Sequence, residues 1–352
     1  MHASTVAIDL AKEVFELAFA DDRGRVVERK RLSRRAFARA LEQRPPLRVL
    51  MEACGSAHYW ARRFQRLGHA VRLLPARDVR PYVRGNKTDR NDVAGILEAD
   101  RCGDIAGVPV KTPEQQGIQA LHRLREHLKA ERTATTNLLR GVLREFGVTI
   151  PAGALKVPAA VRDALEDGDN ELPMPLRYSL DDQLQRLAQL QADMAAIEQR
   201  LEEFADRDVA VQRYRRVPGV GLLTATALRA SAGDLSRFRN GRQFAAWLGL
   251  TPREHSSGQQ RRLGGLTKRG DVYLRTLLVH GARAVLTAAR LKQRRGQPLD
   301  PLQAWALKVQ DARGHNKAAC ALANKLARRL WAMEHHGQAF DPRHVSQRPG
   351  AH

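Results

Sequence analysis

Thr5-Val6-Ala7-Ile8-Asp9 and Arg48-Val49-Leu50-Met51-Glu52 decide the fold of this chain. Each is a short apolar run closed by an acid, the pattern of a buried strand that delivers a carboxylate to the end of a sheet. Between them, Val14–Ala20 (VFELAFA) alternates as a strand should, Asp21-Asp22-Arg23-Gly24 is turn-forming, and Val26–Leu32 reads as the hairpin partner. The Ala- and Arg-rich stretch Arg34–Gln43 predicts a helix, Ala61–Leu67 another, and Ala70–Leu74 a last strand, with further helix from about Thr88. A β-β-β-α-β-α-β order, hairpin first and crossover helices after, implies a mixed sheet with helices on its faces: an α/β domain.

Outward from that domain the composition changes. The 352 residues exceed one ordinary core and suggest a multidomain chain. At 43% hydrophobic and 5% aromatic the chain can bury a core, but not an aromatic-lined one. Residues 113–208 read as helical: Leu121, Leu124, Leu128, Leu138, Leu139, Val142 and Leu143 recur at helical spacing, and the pattern breaks at Ile150-Pro151-Ala152-Gly153. It resumes through Leu184, Leu187, Leu190, Met194, Ile197 and Leu201 in steps of three and four. Two long helices joined by a Pro-rich crossing predict a coiled-coil, dimerising arm or an ordinary helical bundle. Residues 209–341 form a third, mostly helical segment, and 342–352 a polar tail expected to be disordered. The first domain is then 1–112.

Charge divides the chain more sharply. From Val209 onward there are 26 basic and 7 acidic residues, against 34 and 31 before it. Such a surplus needs a polyanion, nucleic acid first and an acidic membrane second. No apolar run approaches the ~18–20 residues of a membrane span, and no signal peptide is expected. Cys54, Cys102 and Cys320 fit neither a disulfide framework nor a zinc site, so a reducing, cytoplasmic location is expected.

Four carboxylates of the first domain carry the chemistry. Asp9 and Glu52 end the first and fourth strands; if these strands are neighbours, the two acids emerge side by side. Asp89 and Asp92, three apart at the start of a helix, share a helical face. Four converging carboxylates repel one another unless cations neutralise them. Two Mg²⁺ or Mn²⁺ ions ~3.5–4 Å apart would do so, and would hold the attacking and leaving oxygens of a phosphodiester. Plainer roles exist: Asp9 capping the following turn, Asp89 capping its helix. A charge following an apolar run, as at Glu52, needs a partner in any case.

Two further motifs lie in the basic segment. Arg216-Val217-Pro218-Gly219-Val220-Gly221 resembles a helix-hairpin-helix turn, where Gly219 and Gly221 let backbone N–H groups approach a phosphate without reading sequence. Beyond Gly249-Leu250-Thr251-Pro252, the loop Arg253-Glu254-His255-Ser256-Ser257-Gly258 is followed by Arg261-Arg262 and Lys268-Arg269. A serine beside glycine in a basic loop can attack a phosphodiester while Arg and Lys stabilise the developing charge; an ordinary Ser-Gly turn is the plain alternative. His255 is close enough to serve as a general base but reads as a surface residue, and the four scattered tryptophans read as core.

Asp9, Glu52-Ala53-Cys54-Gly55, Asn86-Lys87-Thr88-Asp89-Arg90-Asn91-Asp92, Pro218-Gly219-Val220-Gly221, Gly249-Leu250-Thr251-Pro252 and Ser257-Gly258 stand in the order seen in transposases of the insertion-sequence 110/1111 family, which the chain resembles from Val6 to Phe340. The resemblance implies an RNase H-like (RuvC-like) DEDD domain, a coiled-coil dimerisation segment and a transposase domain with a catalytic serine. Asp9, Glu52, Asp89 and Asp92 match the metal-binding tetrad, and Ser257 the serine that links to DNA. The implied partners are target and donor DNA, a structured guide RNA encoded with the element, and further copies of the chain in a dimer or tetramer. Rival expectations are a metal-dependent junction endonuclease and a non-catalytic nucleic-acid-binding protein.

Overall fold

In the computed structural model, residues 3–86, 88–258 and 260–343 are described. Lys87 of the Asn86–Asp92 motif and residues 344–352 of the expected tail lie outside the described residues. The chain forms two compact units, Met1–Pro113 and Glu114–His352.

The first unit is built on strands β1 (Thr5–Asp9), β2 (Val14–Ala20), β3 (Val26–Ser33), β4 (Arg48–Glu52) and β5 (Ala70–Leu74). Their order is β3-β2-β1-β4-β5. The first three run antiparallel as a meander, and β1, β4 and β5 run parallel. Alternation along each strand sorts the side chains. Val6, Ile8, Phe15, Leu17, Val49 and Met51 bury one face, with Phe37 of α1 (Arg34–Arg39) and Trp60 and Phe64 of α2 (Ala57–Arg66). Ala7, Ala18, Ala20, Leu50 and Leu74 bury the other against Val93 and Ile96 of α4 (Asp89–Arg101), which follows the short α3 (Ala76–Val79). The mixed α/β reading therefore holds. Helix α1 stops at Arg39, short of Gln43; turns carry the chain over buried Leu41 to Pro45 and Pro46, which cannot continue a helix. Helix α2 begins four residues earlier than its apolar run suggests, at a left-handed Ser56.

In the second unit, α5 (Pro113–Glu145), α6 (Val157–Glu166) and α7 (Met174–Arg207) form the helical segment. Helices α5 and α7 pair antiparallel: Ile118 packs with Ile197 and Leu201, and Leu139 and Leu143 with Leu180, Leu184 and Leu187 beside α6. Ion pairs Arg125–Glu198 and Arg186–Glu131, each 2.6 Å, join the pair. Leu124 and Leu138, expected in the apolar seam, are instead about half exposed (54% and 52%). Their places are taken by Ile118, His122, Thr135 and Thr136, which are buried.

The remaining elements are α8 (Val209–Arg215), α9 (Leu222–Ser231), α10 (Gly241–Trp247), β6 (Pro252–Glu254), β7 (Leu263–Leu266), α11 (Val272–Arg294), α12 (Pro301–Arg313) and α13 (His315–His335). A continuous Leu- and Ala-rich core unites α8 to α13. Buried His122 ties α5 to it: Thr226 Oγ1 donates to the Leu222 carbonyl at 2.7 Å, so it accepts from His122 Nε2 at 3.0 Å, leaving Nδ1 to accept from the Tyr273 hydroxyl at 2.9 Å. Among the described residues, no helix is long and apolar enough to cross a membrane.

Candidate active site: an acidic cluster and a serine hairpin

Strand register brings the acids together. In the parallel β1–β4 pair Ile8 lies opposite Met51, so Asp9 and Glu52 end adjacent strands. Both follow the alternation that puts Ala7 and Leu50 under α4. Helix α4 arrives with its N-terminus at that end. The Thr88 side chain accepts from Asn91 N–H at 3.3 Å and caps the helix, so Asp89 is not the cap but its first residue. Asn91 Nδ2 donates to the Asn86 carbonyl at 2.8 Å and closes the preceding loop. Gly95 is required for close docking, because a Cβ there would stand 2.6 Å from a Val83 methyl. Further along α4, buried Asp100 receives Arg48 of β4 at 2.6 Å and Arg72 of β5, fixing the helix to the opposite end of the sheet.

The result is a set of carboxylate oxygens from Asp9, Asp89 and Asp92 that all lie within 4.8 Å of one another. Glu52 stands beside Asp9 on the next strand but outside that trio. Two neighbours were not anticipated from sequence. Glu16 on β2 pairs directly with Asp9, and its own partner on β3 is Arg31; the alternation of VFELAFA, which sets Glu16 on the face of Ala18 and Ala20, was the available signal. Cys54 is the other: burial, then the Glu52 and Asp9 carboxylates, push its thiol pKa up, which places all three in one electrostatic neighbourhood.

The second unit holds the other expected residues. The Arg216–Gly221 turn joins α8 to α9. Gly219, at φ 83°, owes its identity to packing: its Cβ would lie 2.8 Å from the Gly281 carbonyl of α11. At Gly221 a Cβ would meet nothing within 4 Å, and this residue opens α9 with no side-chain cap, leaving its first N–H groups for an outside acceptor. The serine loop is the tip of the β6–β7 hairpin, both strands of which are largely exposed. Backbone approach anchors its base. Gly249, at φ 70°, lies so near Arg269 that a Cβ would stand 2.3 Å from that carbonyl, and at Gly270 one would stand 1.9 Å from the Trp247 carbonyl. Lys268 accepts a left-handed φ of 53° to make the fit.

At the tip, the two serines are unlike. Ser256 Oγ donates to Glu254 at 2.8 Å and accepts from the Arg262 N–H at 3.1 Å. The same Glu254 takes Arg261 at 3.1 Å, and Ser256, then Arg261, hold its carboxyl below the usual range. Ser257 bonds only through its backbone, exchanging N–H and carbonyl with Gln260 at 3.3 and 3.1 Å. Among the described residues its hydroxyl has no hydrogen-bond partner. Gly258 beside it turns at φ 57°, with open space where a Cβ would be. His255 is exposed, as are Arg253, Arg261, Arg262, Lys268 and Arg269, so the hairpin and its base carry solvent-facing cations.

Comparison with known proteins places the whole chain in a family. Residues 6–148 match a transposase family model of the DEDD type named for IS110, and residues 211–296 match that of the "Transposase IS116/IS110/IS902 family". A "Probable family 20 transposase" of Pseudomonas aeruginosa is 44% identical, over 95% of this chain and 97% of its own length. The "Transposase for insertion sequence element IS1111A" of Coxiella burnetii is 38% identical, over 93% and 88%. That for IS1328 of Yersinia enterocolitica is 37% identical, over 96% and 99%. Matches running the length of both chains show that this chain belongs to the IS110 family of insertion-sequence transposases, enzymes that cut and recombine DNA.

Proposed function

We propose that the chain exchanges DNA strands of its mobile element through Ser257, assisted by divalent cations at Asp9, Glu52, Asp89 and Asp92. The sheet order and the position of α4 support an RNase H-like reading of residues 1–112. A hard, all-oxygen donor set suits Mg²⁺ or Mn²⁺, and the DEDD match suggests divalent-metal use. Such an ion, when bound, supplies charge neutralisation at a phosphodiester.

One observation carries the choice of nucleophile: of two adjacent serines, only Ser257 has a hydroxyl unengaged among the described residues. Ser256, bonded to Glu254 and to the Arg262 backbone, holds the hairpin tip in shape. Ser257 Oγ attacks phosphorus, a P–O bond of the DNA breaks, and a phosphoserine ester forms with release of one DNA hydroxyl. A hydroxyl end of the exchanging strand then attacks that ester and frees the serine, so no bond energy is lost. The Arg216–Gly221 turn and Arg253, Arg261, Arg262, Lys268 and Arg269 hold phosphates nearby. Family membership and the basic surplus support a structured guide RNA as second polyanion, with residues 113–208 as the coiled-coil dimerising arm of a dimer or tetramer that joins acids of one protomer to the serine of another.

The test is strand exchange with element-end and target DNA and the adjacent transcript, run on denaturing gels. Ser257→Ala is expected to abolish both the protein–DNA adduct and exchange, and Ser256→Ala to retain the adduct at reduced rate. An adduct surviving in Ser257→Ala, or hydrolysed free ends without any adduct in the wild type, overturns the assignment; the latter is the outcome of a metal-dependent endonuclease.

A further inference from the structure

A cavity of about 1380 Å³ lies beside the base of the serine hairpin, walled by α13, α10, α12, β6 and β7. Among the described residues every charged side chain lining it is cationic, Arg242, Lys317, Lys325 and Arg328 among them. Lys325 Nζ stands 4.1 Å from the Trp305 ring, a cation held by a π face and not by an anion. Burial, then Arg329 and Arg328, push the Lys325 ammonium pKa down, so this cation sits half-desolvated beside two others.

Two of these cations, Lys317 and Arg328, lie on one stripe of α13. Lys317, Ala321, Asn324 and Arg328 follow i, i+4, i+7 and i+11 spacing on one face of α13. From Lys317 to Arg328 that face runs about 16 Å, long enough to follow several successive phosphates of one strand. Small Ala321 between them keeps the track open. On the facing wall, β7 contributes Gly264 and Gly265. A Cβ at Gly265 would meet nothing within 4 Å, so packing does not demand glycine there; its effect is to leave bare backbone and a wider groove. The loop that joins β7 to its partner β6 carries Ser257, at the far end of the hairpin.

We propose that this groove holds a single nucleic-acid strand, phosphates on Lys317, Lys325 and Arg328 and a sugar or base against Trp305, and delivers it to the hairpin. That delivery rests on the strand-exchange reading above; binding in the groove is measured without any catalysis.

The experiment uses the full chain with labelled oligo-dT and, in a second arm, oligo-U of about fifteen nucleotides, titrated at several salt concentrations. Each lost phosphate contact lowers the slope of log affinity against log salt by about 0.7 for single strands. Combined Lys317→Gln, Lys325→Gln and Arg328→Gln is therefore expected to lower it by about 2. The stronger arm tells whether the strand is DNA or RNA. Cys320, which lines the cavity, gives a readout needing no variant: bound strand should slow its alkylation several-fold in the wild type, with exposed Cys102 as reference in the same peptide map. An unchanged slope in the triple variant, or Cys320 alkylated equally with and without either strand, overturns the groove while leaving Ser257 untouched. An adduct in Ser257→Ala overturns the nucleophile while leaving the groove.

Discussion

Replacing Gly281 by alanine sets two effects of opposite sign against each other. Gly281 lies in the interior of α11, where Gly→Ala ordinarily gains about 1 kcal/mol of helix propensity. Here, however, the new Cβ would stand 1.8 Å from the Gly219 carbonyl oxygen and 2.8 Å from its carbon. Both atoms are backbone, so no side chain can swing aside. Overpacking of this kind costs about 1–3 kcal/mol, and an overlap this deep belongs at the upper end. The net expectation is a loss of about 2 kcal/mol, which for a unit of this size is a fall of about 4–8 °C in Tm. Gly117→Ala and Gly141→Ala in α5 are the controls: their Cβ atoms meet nothing within 4 Å, so each should raise Tm by about 2–4 °C. Thermal melts by circular dichroism read all three, and the salt slope of DNA binding reads whether displacing the Arg216–Gly221 turn weakens its grip. If Gly281→Ala melts higher, like the controls, the turn is not clamped on α11 and its phosphate-binding geometry has no structural support.

Three further outcomes follow from the structure. Burial lowers His122 to about 4 from an ordinary 6.5, so between those values the unfolded chain binds the extra proton. Stability is full above pH 6.5 and falls as pH drops toward 4, by on the order of 3 kcal/mol; His122→Gln should flatten that stretch of a pH–Tm profile, and an equally steep profile would refute the assignment. Asp100→Ala leaves Arg48 and Arg72 without their buried partner, and should cost on the order of 3 kcal/mol and lower exchange by loosening α4; a variant with wild-type Tm would show that α4 is held otherwise. Chelation, or Asp92→Asn, should stop adduct formation while the salt slope of DNA binding persists; adduct formation in chelator would exclude the acids from the reaction.

What sequence makes legible depends on how far apart the deciding residues lie. Asp9 and Glu52 are readable because an acid closing a short apolar run must end a strand, and Asp89 and Asp92 because three residues make most of a helical turn. Glu16 obeys the same alternation but gains meaning only from the strand register that pairs it with Asp9. The identity of the unengaged serine is not local either: Ser256 is occupied by Glu254 on its own strand and by the Arg262 backbone on the returning one. Gly219 reads as a phosphate turn from sequence, whereas its partner, Gly281, is on a helix formed much later in the chain. Leu124 and Leu138 fit the helical period yet lie off the buried face, since a period marks a stripe but not which stripe the neighbouring helix covers. The cationic groove is assembled from five elements and has no contiguous signature at all.

The proposed nucleophile and the acids that would assist it belong to different compact units, and an exposed serine without a base beside it is a weak nucleophile on its own. The proposed mechanism therefore predicts that the acids act on the serine, and the alternatives are acids of the same chain or of a second copy. Mixing decides which. A chain carrying Asp9→Asn keeps a sound serine, and one carrying Ser257→Ala keeps sound acids; each alone should be inactive. If the pairing is within a chain, every site in a mixture still lacks one partner, and activity stays at zero. If it is between copies of a dimer, random mixing makes about half the dimers mixed, each with one complete site of two, so about a quarter of wild-type sites return. Adduct recovered near that level supports the shared site; complete silence in the mixture, with both chains folded and co-purifying, confines each serine to the acids of its own chain.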